Sequence, residues 1–121
     1  MKVSNSKIII NSDETEIIRL IKSPNNLEKF HPFCKKNKVE VWNKEKSIDF
    51  VEYHNNKIYK RKFIDWGDNG YNLDIYEKRK LANISWNVVK ISNNKSSLII
   101  TAVPYLPFKY KIINQLIFKL Y

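Results

Sequence analysis

The chain has 121 residues, enough for one domain (1–121) with a core of its own, and its 43% hydrophobic and 28% charged residues are the proportions of a soluble globular protein. One cysteine, Cys34, excludes an internal disulfide framework, and no apolar run approaches the roughly 20 residues needed to span a bilayer. The net charge of +10 excludes no partner class and leaves anionic ones open.

Lys7–Asn11 is a β-branched run and the expected first strand. Ser12 or Asp13 then caps a helix whose first turn is acidic; with Asp13 as the cap, Glu16 falls at the capping-box position. Ile17, Ile18, Leu20 and Ile21 give that helix an apolar face, and Pro24 ends it. A second short helix carries Leu27 and Phe30 and closes at Pro32.

From Lys38 the period changes to two. Strands are expected over Val39–Trp42, Ser47–His54, Lys57–Trp66, Tyr71–Glu77, Ala82–Ile91 and Ser97–Val103. Asn55-Asn56 reads as a two-residue hairpin turn, Gly67-Asp68-Asn69-Gly70 as the clearest turn in the chain, and Asn93-Asn94 as another. Six strands joined by tight turns make an antiparallel meander.

The chain ends on PYLPFKYKIINQLIFKLY (104–121). Ile112, Leu116 and Leu120 recur every four residues with Ile113 and Ile117 beside them, so one amphipathic helix is expected, starting at Pro107. The order is then strand, two short helices, six strands, helix. The fold class is α+β: a curved antiparallel sheet of about seven strands wrapped around a C-terminal helix.

The segments KIIINSDETEIIRLI, SPNNLEKFHPF, ISWNVV and TAVPYLPF carry a resemblance over essentially the whole chain. The chain resembles the START-like, Bet v 1-like helix-grip superfamily, near its polyketide cyclase/dehydrase and lipid-transport group. The resemblance implies a cavity between sheet and last helix that takes a small hydrophobic molecule. It departs in one respect: only about 14 residues follow Pro107, about 21 Å of helix, shorter than the gripping helix usual in that family.

Catalytic signatures are missing: two glycines in one turn cannot build a P-loop, a dinucleotide fingerprint or a nucleophile elbow. His31 and Cys34 are too few, and too constrained by Pro32, for a metal site; neither metal nor cofactor is expected. Glu52, Asp65, Asp74, Tyr59 and Arg61 are the groups available for acid–base work on central strands, and strand parity sends Asp74 to solvent. Arg61 shares a face with Tyr59 and Phe63, and either snorkels outward or points inward to meet a ligand group.

Aromatic residues are frequent on the strands and suit either a ligand cavity or a solid core. The cavity reading takes Phe30 and Phe33 at the entrance. From the sheet it takes Phe50, Tyr59, Arg61, Phe63, Leu73, Ile75, Ile84, Trp86 and Ile100, with Ile113 and Ile117 facing them from the last helix. The expected function is binding or transport of a lipid, isoprenoid quinone or polyketide-like compound. Its alternatives are a cyclase/dehydrase-type enzyme and a basic RNA- or ribosome-associated protein.

YKRKF at 59–63 interleaves aromatic and basic residues, as a stacking and phosphate surface for single-stranded nucleic acid would. Lys109, Lys111 and Lys119 keep transient membrane contact open for the last helix. Against both stands compositional bias, since the basic residues are nearly all Lys in a chain also rich in Asn and Ile. Ile8–Ile10 is too short for a signal-peptide core, so the expected compartment is cytoplasmic; oligomeric state is not set by the sequence.

Overall fold

The structure, a computed structural model, describes residues 3–31 and 34–105; Phe30 is described in its backbone only. β1 (Ser4–Ile10) leads into α1 (Glu14–Ile21) and the single turn α2 (Leu27–Phe30). Six strands follow: β2 (Cys34–Val41), β3 (Ile48–Tyr53), β4 (Ile58–Gly67), β5 (Gly70–Tyr76), β6 (Lys80–Ser92) and β7 (Lys95–Pro104). They form the expected meander, and β1 returns to pair with β7, giving the order β1-β7-β6-β5-β4-β3-β2 with every pairing antiparallel. The helix expected over 107–121 lies outside the described residues.

Local chemistry explains the boundaries. Asp13 is the N-cap of α1 and accepts from the Glu16 amide at 3.0 Å. The Glu16 side chain pairs with Arg19 on the helix surface. At the other end, three side chains take the last carbonyls. Asn26 Nδ2 donates to Leu20 O (3.2 Å), the Tyr71 hydroxyl to Ile21 O (3.0 Å) and Trp42 Nε1 to Lys22 O (3.0 Å). Tyr71 is on β5 and Trp42 directly follows β2, so the end of α1 is fastened onto the sheet while Ile17 and Ile21 are buried.

The hairpin between β3 and β4 differs from expectation. Its loop has three residues, His54 to Asn56: Asn56 N–H donates to Tyr53 O, Tyr53 N–H to Lys57 O, and Asn56 sits at φ 67. Residues facing each other across the hairpin are thereby offset by one from a two-residue turn. At the next hairpin the turn is Asp68-Asn69. Gly70 is fixed there by space rather than by φ, because a Cβ would lie 1.8 Å from Trp86 O.

Alternation sorts the sheet into two faces. The inner face, toward α1, holds Val51, Tyr53, Tyr59, Phe63, Tyr71, Leu73, Ile75, Ile84, Trp86, Val88, Leu98 and Ile100, all buried. Register shifts at Val39/Val41, Phe63/Asp65 and Lys90/Ser92 bend the strands around that side.

Candidate functional site

Among the described residues the inner face carries one buried ion pair. Asp49 on β3 and Arg61 on β4 are directly opposite in register, and Arg61 donates Nε to Asp49 Oδ1 (2.7 Å) and Nη2 to Oδ2 (2.6 Å). The Arg61 side chain is 7% exposed and that of Asp49 is 0% exposed, so neither charge is solvated. Burial opposes the guanidinium charge, but the Asp49 carboxylate outweighs it and raises the Arg61 pKa above its ordinary value. This fork-to-carboxylate geometry is the strong form of the interaction.

The pair extends into a network. Asn37 Nδ2 donates to Asp49 Oδ2 (3.0 Å) and to Phe50 O (3.1 Å), while Asn37 Oδ1 accepts from Leu27 N–H (3.2 Å), tying α2 to the pair. On the other side the Arg61 guanidinium lies 5.2 Å from the Phe63 ring centre and close to the Tyr71 hydroxyl. Burial pushes the Tyr71 phenol up to about 12, so it acts as a neutral donor.

Around the pair the lining is aromatic. Phe63, Trp42, Trp66 and Tyr71 form one cluster with centroids 4.9 to 5.5 Å apart, and Trp86 joins through Tyr71 at 5.8 Å. Tyr59, Tyr53 and His31 form a second, at 5.0 and 5.6 Å. Burial, and secondarily the Arg61 charge, lowers the His31 pKa to about 3, which keeps the imidazole neutral. Burial raises the Cys34 thiol to about 12, far from the reactive thiolate form.

Eight of the residues named from sequence share this face: Tyr59, Arg61, Phe63, Leu73, Ile75, Ile84, Trp86 and Ile100. Phe50 does not. It opposes Lys60, whereas its neighbours Asp49 and Val51 oppose Arg61 and Tyr59, so Phe50 is on the outer face and the expected pocket position is corrected. The side chain of Phe30, and Phe33, Ile113 and Ile117 entirely, lie outside the described residues.

Glu52 and Asp74 also lie on the outer face, where Asp74 bonds Asn83 (3.0 Å) and Lys80 (2.9 Å). Strand parity does turn Asp74 to the outer face, but those partners leave it 4% exposed rather than in solvent. Asp65 is exposed beside the β4 bulge. Among the described residues the inward carboxylate is Asp49, which is not one of the acid–base groups expected from the sequence although it shares parity with Val51 and Tyr53. Among the described residues no group of three or more His, Cys, Asp or Glu could hold a metal ion, and no helix is long and apolar enough to cross a membrane.

No family model matches the chain, and no curated protein does. Solved structures do. A START superfamily protein from Mycobacterium smegmatis matches with a TM-score of 0.69 at 10% identity, over 94% of this chain and 85% of its own. An uncharacterised protein from Bacillus thuringiensis matches at 0.74 and 13%, over 94% and 87%. A norcoclaurine synthase point mutant from Thalictrum flavum, solved with a transition-state analogue, matches at 0.68 and 15%, over 88% and 77%. At such identities the likeness is one of fold.

Proposed function

We propose that this START-like, Bet v 1-like fold serves here to bind a small hydrophobic molecule against the inner face of the sheet, as a carrier rather than a catalyst. The observation that carries the reading is the combination of a broad apolar and aromatic face with the buried ion pair Arg61–Asp49 set into it. Burial of the ligand's apolar surface supplies affinity at about 25 cal/mol per Å². Arg61 has five N–H donors; two go to Asp49 and the Tyr71 hydroxyl stands against the guanidinium, so the donors left over can meet one ligand group, with Tyr59 beside it.

The ion pair also narrows the chemistry. Asp49 already neutralises the guanidinium, so a ligand anion would enter as an uncompensated buried charge. A neutral acceptor fits better: a ketone or quinone carbonyl, or a phenol. Lipids, isoprenoid quinones and polyketide-like compounds carry such groups. The cyclase/dehydrase alternative is weakened because Glu52 and Asp65 are not on this face and Asp49 is bound to Arg61. A single buried thiol suits a reducing compartment, and a cytoplasmic carrier is part of this proposal.

Thermal denaturation with matched ligands tests the role of Arg61. A long-chain quinone should raise the melting temperature of the wild type more than an alkane of equal length, and Arg61→Met with Asp49→Leu, which removes the pair without leaving a buried charge, should erase that difference. Equal shifts for quinone and alkane in the wild type would remove Arg61 from the site.

A further inference from the structure

The outer face of the sheet carries a pattern that the inner-face function does not use. Across five adjacent strands, Lys38, Phe50, Lys60, Tyr76 and Lys80 are consecutive partners in register. The row therefore runs Lys, aromatic, Lys, aromatic, Lys at the strand spacing of about 4.8 Å. Lys36 and Lys62 stand one pleat away on either side of Phe50, the diagonal positions still within reach of a long side chain. Phe50 and Tyr76 are half-buried, so their rings sit low between the longer lysine stems.

The acids of this face stand beside the row rather than in it. Glu52 faces Lys36 in register and pairs with Lys35 (3.8 Å), Asp74 faces Lys62 and pairs with Lys80 (2.9 Å), exposed Asp65 follows the β4 bulge, and the exposed Glu40 and Glu77 lie at the margins. Among the described residues Lys36, Lys38, Lys60 and Lys62 have no carboxylate within ion-pair distance. The structure also divides YKRKF: Tyr59, Arg61 and Phe63 go inward, and only Lys60 and Lys62 reach this surface. Its aromatic members come instead from β3 and β5.

We infer that this face binds single-stranded nucleic acid, with Phe50 and Tyr76 stacking on unpaired bases and the flanking lysines meeting the phosphates on either side. Aromatic platforms bracketed by cations suit a base and its backbone together, without base-specific readout. A duplex keeps its bases out of reach of recessed rings. A membrane would need protruding apolar groups. Ile58 and Ile64 are exposed on β4, but six residues put them about 20 Å apart, with Lys60 and Lys62 between.

The test is fluorescence anisotropy with labelled twelve-residue oligouridylate and oligothymidylate, across a salt series. Variants are Phe50→Leu, Tyr76→Leu, Lys60→Gln/Lys62→Gln and, as a control at the β6–β7 hairpin, Lys90→Gln/Lys95→Gln. Each aromatic variant should weaken binding about tenfold while melting like the wild type. The Lys60/Lys62 pair, on the surface and tolerant of change, should lower the slope of log K against log salt by about 1.4, and the control should not. Tighter binding of uridylate would assign RNA, and of thymidylate DNA. Three results would overturn the inference: aromatic variants that bind like the wild type, a control pair as damaging as Lys60/Lys62, or binding to vesicles with 30% anionic lipid and to neither oligonucleotide.

Discussion

Arg61 and Asp49 face each other across the β3–β4 hairpin and share two hydrogen bonds of 2.6 and 2.7 Å beneath an apolar face. A buried pair of this kind adds little stability relative to a well-packed apolar pair, yet it is damaging to break. Asp49→Asn keeps the volume and removes the countercharge. It should cost about 3–5 kcal/mol, read as a lower urea midpoint at unchanged slope, because the guanidinium is left buried alone. Arg61→Met with Asp49→Leu should recover most of that loss. A double variant as unstable as Asp49→Asn would show that the network through Asn37, not the charge, is what matters.

His31 should make stability fall with acid. Its pKa is lowered to about 3 in the folded chain, from an ordinary value of 6.5. Below 6.5 the unfolded chain takes up a proton that the folded chain refuses, so the stabilisation is complete above 6.5 and is lost as pH falls toward 3. From pH 7.5 to 5.0 this amounts to about 2 kcal/mol, before most carboxylates titrate. His31→Gln, followed by chemical denaturation over the same interval, should flatten the profile by that amount. A profile unchanged by the substitution would place the imidazole in contact with water.

The fastening of α1 to the sheet predicts an order of effects. Tyr71→Phe leaves the buried Ile21 carbonyl without its donor and should cost about 1–3 kcal/mol. Trp42→Phe exposes the carbonyl of half-buried Lys22, which water can reach, and should cost less. Hydrogen exchange should show amides of α1 opening in Tyr71→Phe before those of β5 and β6. Uniform exchange across helix and sheet would mean that the helix has no separate opening.

The strand meander and the Asp13 cap were legible because period, turn residues and capping chemistry agree locally. The face of Phe50 was not, and one residue of loop explains why. A two-residue turn at Asn55-Asn56 would set Phe50 opposite Arg61; with Asn56 in the left-handed region the loop takes three residues, and Asp49 becomes the partner. Since side chains alternate at each position, that single step moves Phe50 to the outer face and brings a carboxylate inward. Propensity does not distinguish the two loops, because Asn suits both. Tyr59, Phe63, Ile84 and Trp86 needed no register, only parity within their own strands.

An apolar ligand on the inner face, with one polar group at Arg61, would co-purify with the protein. Native mass spectrometry of protein purified without organic solvent, with extraction and identification of what it carries, tests it most directly. The protein should carry a stoichiometric apolar compound bearing a carbonyl or phenol, lost or reduced when Arg61→Met is combined with Asp49→Leu. A protein that emerges empty, and gains no thermal stability from a panel of lipids, quinones and polyketide-like compounds, would contradict it.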